Sequence, residues 1–187
     1  MAKTWKNLSK DEVLSYKHPE LIARFCSIYS ITEEEAEEVF DILKLWLWLG
    51  HEKVFEDQSP DIQSTAFSSM IIDSPLLIMD EMWHNFILFT KDYFEFCLKY
   101  FGYYIHHSPG TMKEQESARK RLENMTESQR IEAEMDRKRS QYTYTYDKLG
   151  EMVFKKMYIE YPEKYNHKSL ILLQIKKQFP DSSIELI

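Results

Sequence analysis

The sequence predicts an all-α protein, a single irregular helical bundle over residues 1–187 with a long charged helical arm at 111–139. Three observations carry this expectation. Apolar residues recur at three- and four-residue steps along most of the chain. Ser9 and Thr32 each stand three residues before a glutamate, the spacing of a reciprocal N-terminal cap. The one alternating stretch, Tyr142-Thr143-Tyr144-Thr145-Tyr146, is too short to build a sheet by itself.

Ser9 with Glu12 opens a short first helix to about Lys17. Pro19 suits a first helical position, and Leu21, Ile22, Phe25, Cys26 and Tyr29 follow on one face. Thr32 with Glu35 opens the next helix, and Glu33, Glu34 and Glu35 favour the positive end of its dipole. That helix carries Val39, Phe40, Ile42, Leu43, Leu45, Trp46 and Trp48 to an expected stop at Gly50. A short helix is expected over Ile62–Ile72, between the breaks at Ser59-Pro60 and Ser74-Pro75. From Pro75 to Phe101 helical spacing persists without an internal Gly or Pro, as one bent helix or as two with Thr90 as cap. Its first half is apolar nearly all round, the pattern of a central buried helix. Its second half carries a stripe of Tyr93, Phe96, Cys97, Tyr100 and Tyr104, and Gly102 ends the block. After the arm, a stripe of Tyr142, Tyr146, Leu149, Val153 and Met157 predicts a long helix, and Ser169–Phe179 a last one stopped by Pro180.

Composition excludes several classes. Lys and Arg number 24 against 31 Asp and Glu, a net charge of −7, which is the wrong sign for a general nucleic-acid binder. Two cysteines, Cys26 and Cys97, exclude a disulfide scaffold and a four-cysteine zinc site. Cys97 lies within an apolar stripe and reads as an inert core thiol. No apolar run is long enough for a membrane span. The first residues, Met1 to Asn7, lack a signal-peptide apolar core, so the cytoplasm is the expected compartment, with signal-independent secretion as the alternative. In the arm, Arg119-Lys120-Arg121 and Arg137-Lys138-Arg139 sit among glutamates. They read as a solvated face laced with opposite charges, or else as an interaction surface for a partner protein.

The strongest chemistry lies in Met79-Asp80-Glu81-Met82-Trp83-His84. On a helix Asp80 and His84 are one turn apart on the same face. Inside an apolar helix both need partners. Three arrangements satisfy them. Asp80 can accept the His84 proton in a structural pair, with His106 and His107 bonded to backbone. Asp80, His84 and one of His106 and His107 can form a two-histidine, one-carboxylate set for one iron, manganese or zinc ion. Asp80 can also orient His84 as a general base. Glu81 and His84 match the Glu-x-x-His of di-iron bundles, but no second copy exists in the chain. His18, His51 and His167 carry no signal.

Asp80-Glu81-Met82-Trp83-His84-Asn85-Phe86-Ile87-Leu88-Phe89-Thr90, followed by Tyr93, Phe96-Cys97, Phe101-Gly102 and His106-His107-Ser108-Pro109, resembles a bacterial family of unknown function. That family is similar in turn to the domain of plant glycine-rich-domain-containing proteins. Some plant-type relatives carry a second histidine two positions after the first, where this chain has Phe86. The resemblance implies an all-α domain and one spatial cluster of Asp80, Trp83, His84, His106, His107 and Pro109. It transfers no activity. The expected function is a non-enzymatic protein–protein interaction or regulatory role, without a cofactor, toward another protein or a second copy of the chain. The alternative is a metal-dependent enzyme or metal-binding protein with one transition-metal ion at Asp80, His84 and His106 or His107. A secreted bacterial effector is a third reading, resting on the acidic, Lys-, Ile- and Tyr-rich composition.

Overall fold

Ser9 opens the first helix as its side chain predicts: its hydroxyl accepts from the Glu12 amide at 3.3 Å, and Glu12 accepts from the Ser9 amide at 2.8 Å. The computed structural model describes residues 8–58, 70–108 and 112–181. In it α1 (Lys10–Leu14) ends before the expected Lys17. The cause is a lysine of α3 (Glu33–Gln58). Fully buried Lys44 donates to the carbonyl oxygens of Leu14 at 3.0 Å and Tyr16 at 2.7 Å, and pairs with Asp41 at 2.7 Å. Its ammonium takes carbonyls that a helix end leaves open.

Pro19 starts α2 (Pro19–Ile28) as expected. The cap before it is His18, whose Nδ1 accepts from the Leu21 amide at 3.0 Å, a role the isolated histidine did not announce. The Thr32–Glu35 cap is present in both directions, at 3.1 and 3.0 Å. However, α3 runs through Gly50 to Gln58. Gly50 does not adopt the positive φ of a left-handed stop, and His51 and Lys53 beyond it are buried, so packing carries the helix on. Residues 42–49 are buried without interruption, which makes α3 the axis of the core. It packs against α1, α2 and the next helix, α4 (Leu77–Leu88).

The central helix is therefore α3 rather than α4, which leaves Leu88 63% exposed. Pro75–Phe101 resolves into two helices, α4 and α5 (Thr90–Tyr100), broken at Phe89 with φ −82° and ψ 63°. Thr90 is the first residue of α5, not its cap. Gly102, at φ 78°, ends α5 as expected, its amide reaching the Cys97 carbonyl at 3.1 Å. Of the helix expected over Ile62–Ile72, residues 62–69 lie outside the described residues and 70–72 are not helical. There the backbone of Ile71 is held by a side chain: its amide donates to Gln141 and its carbonyl accepts from Gln141, both at 3.0 Å.

The charged segment forms α6 (Met112–Glu123) and the start of α7 (Glu127–Lys155), which opens on a Thr126–Gln129 cap. Gly150, at φ 83° and ψ 171°, interrupts α7. The ring centroids of Tyr142 and Tyr158 lie 4.2 Å apart. An unbroken helix would separate residues sixteen apart by about 24 Å. The chain therefore doubles back at Gly150, and the single stripe expected from Tyr142 to Met157 does not exist. Its buried face is instead Gln141, Tyr144, Thr145 and Leu149, with Tyr146 exposed. A π-helical turn, Lys156–Glu160, leads to α8 (Tyr161–Lys164), and α9 (His167–Gln178) closes the described chain as expected. All regular elements among the described residues are helical, and none is long and apolar enough to cross a membrane.

Candidate metal site

Asp80 and His84 project from one face of α4, and the loop after α5 brings His107 against them. His107 Nε2 lies 3.0 Å from Asp80 Oδ1 and 3.0 Å from His84 Nε2. His84 Nδ1 stands 3.8 Å from Asp80 Oδ2, too long for the direct pair that their helical spacing suggests. One donor atom from each of the three residues lies within 4.8 Å of the others.

This arrangement is short of hydrogens. An imidazole Nε2 carries at most one, and His107 Nε2 faces both His84 Nε2 and Asp80 Oδ1 at hydrogen-bond distance. Asp80 Oδ1 is screened from solvent and has His107 Nε2 as its 3.0 Å neighbour. Burial pushes the His107 imidazole pKa down, the Asp80 carboxylate pulls it back up, and His84 pushes it down again. A neutral imidazole is the form that ligates a metal. Octahedral bonds of about 2.1 Å at right angles hold neighbouring donors about 3.0 Å apart, matching both short contacts here.

The loop is fixed from behind. Trp83 stacks on His107, with centroids 4.2 Å apart and planes 12° from parallel. Trp83 Nε1 donates to Tyr93 Oη at 2.9 Å, and Tyr93 donates to the Ile105 carbonyl at 2.7 Å. Burial pushes the Tyr93 pKa up and keeps its hydroxyl protonated. Two residues after Ile105 comes His107, so α4 and α5 together aim its ring. Buried Cys97, whose pKa burial also raises, packs below this chain of bonds and stands outside the triad.

The cluster is partly solvated, contrary to the buried one expected. The side chains of Asp80, His84 and His107 are 25%, 53% and 14% exposed. His106 does not join it: it is exposed, its ring edge-on to Tyr104 at 4.8 Å. Neighbouring loop residues point to different sides, and the Ile105 anchor decides which imidazole faces α4. Glu81 points elsewhere and accepts from Tyr29 Oη at 2.8 Å, so the Glu-x-x-His spacing is not used. Pro109 lies outside the described residues, as does the Arg121 side chain.

The other basic residues singled out are occupied. Arg119 and Lys120 pair with Glu123 and Glu116 on their own helix. Arg137 and Lys138 meet Glu134 and Asp73, and Arg139 meets Asp136. Sequence reasoning missed the supporting roles of Tyr93 and Ile105. Tyr93 stood out only as one of a stripe of core aromatics.

A family model described as UCP032817-like matches residues 62–142, a stretch that contains all three donors together with Trp83 and Tyr93. The chain is thus similar to an uncharacterised family, and the match carries no link to plant glycine-rich proteins. No curated protein and no solved structure matches the chain.

Proposed function

We propose that this protein binds one divalent transition-metal ion through Asp80, His84 and His107. The observation that carries the reading is the convergence of two imidazole nitrogens and a screened carboxylate oxygen, with His107 Nε2 3.0 Å from each of the other two and at most one hydrogen of its own to share between them. A cation satisfies all three at once. Two histidines and one carboxylate on one face suit iron(II), manganese(II) or zinc(II) and leave coordination positions for water or substrate. Such an ion acts as a Lewis acid or lowers the pKa of bound water. Half-exposed His84 keeps the site open to solvent, as a reactive centre requires. Protein purified without an affinity tag or chelator should retain near-stoichiometric metal, and added Zn(II), Mn(II) or Fe(II) should raise its melting temperature. His107→Ala should lose both effects. Absence of metal together with an unchanged melting curve in wild-type protein would overturn the reading.

A role in protein association is the second reading, favoured by Ile131 and Met135. They lie one turn apart on α7, 55% and 56% exposed within the charged arm. The partner is a second copy of the chain or another protein. A stable oligomer in light scattering that Ile131→Glu dissociates would support self-association, and a monomer at all concentrations would exclude it.

A further inference from the structure

Beside the triad, between α3 and the loop at 103–108, lies a cleft of about 600 Å³. We infer that this cleft is a binding pocket for a small, planar, largely apolar molecule seated over Gly50. The inference goes beyond the metal reading and does not depend on it.

The volume falls within the range of roughly 300–1,000 Å³ typical of small-molecule pockets. Aromatic walls come from Trp46, Trp83, Tyr103 and Tyr104, while His106 supplies a polar group. Rings present flat apolar faces on which a planar molecule stacks.

Gly50 provides the second, independent observation. A glycine inside a helix is costly relative to alanine, because it loses more backbone freedom on folding. Two ordinary reasons for tolerating one are absent here. Its φ is not positive, and a Cβ built on it meets no atom within 4 Å. Neither backbone conformation nor close packing accounts for the missing side chain. Gly50 lines the cleft, and what its bareness preserves is the open floor of that cleft.

His107 and Trp83 form part of the same wall, so the exposed His106, which takes no part in the triad, gains a place at this pocket. His107 thus borders both the triad and the cleft, and His106 the cleft.

Calorimetric titration with 2-naphthol, a planar ring system with one hydroxyl, tests the assignment on the full chain, before and after treatment with EDTA. Saturable one-to-one binding is expected in both samples. Gly50→Leu fills the floor and should weaken it by at least about tenfold, a factor that corresponds to 1.4 kcal/mol. Gly50→Ala should raise the melting temperature through better helix propensity while still weakening binding, which separates loss of the pocket from loss of the fold. Lack of saturable binding to the wild-type chain, or unchanged affinity in a folded Gly50 variant, would overturn the proposal. Binding that survives EDTA leaves the pocket standing even where the metal reading fails.

Discussion

The region around α3 and the charged segment at 112–140 use polar residues in opposite ways. In the first, buried polar side chains reach distant stretches of chain: Lys44 to the end of α1, Tyr93 to the loop at Ile105. In the second, charges are dense and close mostly on residues three or four positions away, as Arg139 does on Asp136 and Lys120 on Glu116. A local pair on a solvated helix stabilises that helix by a few tenths of a kcal/mol and says little about tertiary structure. A buried polar group bonded across the fold determines where one element sits relative to another. Charge density is therefore a poor guide to importance in this molecule, and isolation among apolar neighbours is a better one.

Substitution tests that contrast directly. Lys44→Ala should have the largest effect, about 3 kcal/mol or more in chemical denaturation. It strips two carbonyls and a carboxylate of a buried cation, whose own pKa burial lowers. Tyr93→Phe comes next at about 1–3 kcal/mol, since it leaves Trp83 Nε1 and the Ile105 carbonyl without their partner. If the proposed ion binds, the same change should weaken its affinity by roughly 10–100-fold by loosening the loop that aims His107. A metal affinity unaltered in Tyr93→Phe would show that the relay does not orient the ligand.

Glu35 occupies the middle ground, because it caps α3 and also reaches Lys164 on α8. The Lys164 ammonium, with the Thr32 amide, holds its carboxyl pKa below the ordinary value. A carboxyl lowered by folding contributes stability above its unfolded pKa, and that contribution disappears as pH falls through the lowered value. Stability should decline on acidification below about pH 4.5, the unperturbed range for glutamate, and less steeply in Glu35→Gln. Superimposable acid profiles for the two proteins would remove Glu35 from the account. The smallest effect belongs to the arm: Arg119→Ala with Lys120→Ala should shift stability by less than about 0.5 kcal/mol, as expected for pairs this exposed. A loss above 1 kcal/mol, roughly twice that ceiling, would erase the distinction between the two regions.

Legibility in the sequence followed the range of the interaction. The Ser9 and Thr32 caps, the first-turn Pro19 and the left-handed Gly102 are decided within five residues, and each is where its residue type places it. Gly50 and Gly150 defeated the same reasoning in opposite senses. Gly50 looked like a stop, but buried neighbours on its far side keep α3 going; Gly150 looked like a helix interior, but the chain folds back there so that Tyr142 meets Tyr158. Within the candidate site, the spacing of Asp80 and His84 identified two of the clustered groups. The choice of His107 over His106 depends on the backbone of a loop anchored by Tyr93 across 12 positions, which no local pattern encodes. Partial exposure escaped prediction for a similar reason. The apolar residues surrounding Asp80 and His84 in sequence suggested an interior helix, a position that α3 occupies instead.

The grip of Gln141 on Ile71 gives the outer helix a mechanical consequence. Both backbone groups of Ile71 are clasped by one amide, and residues 70–72 form a side of the cleft over Gly50. The clasp thus ties α7 to the cleft's rim. Shortening the charged helices from their tip stops being neutral where the cut reaches Arg137, which meets Asp73 just ahead of this clasp.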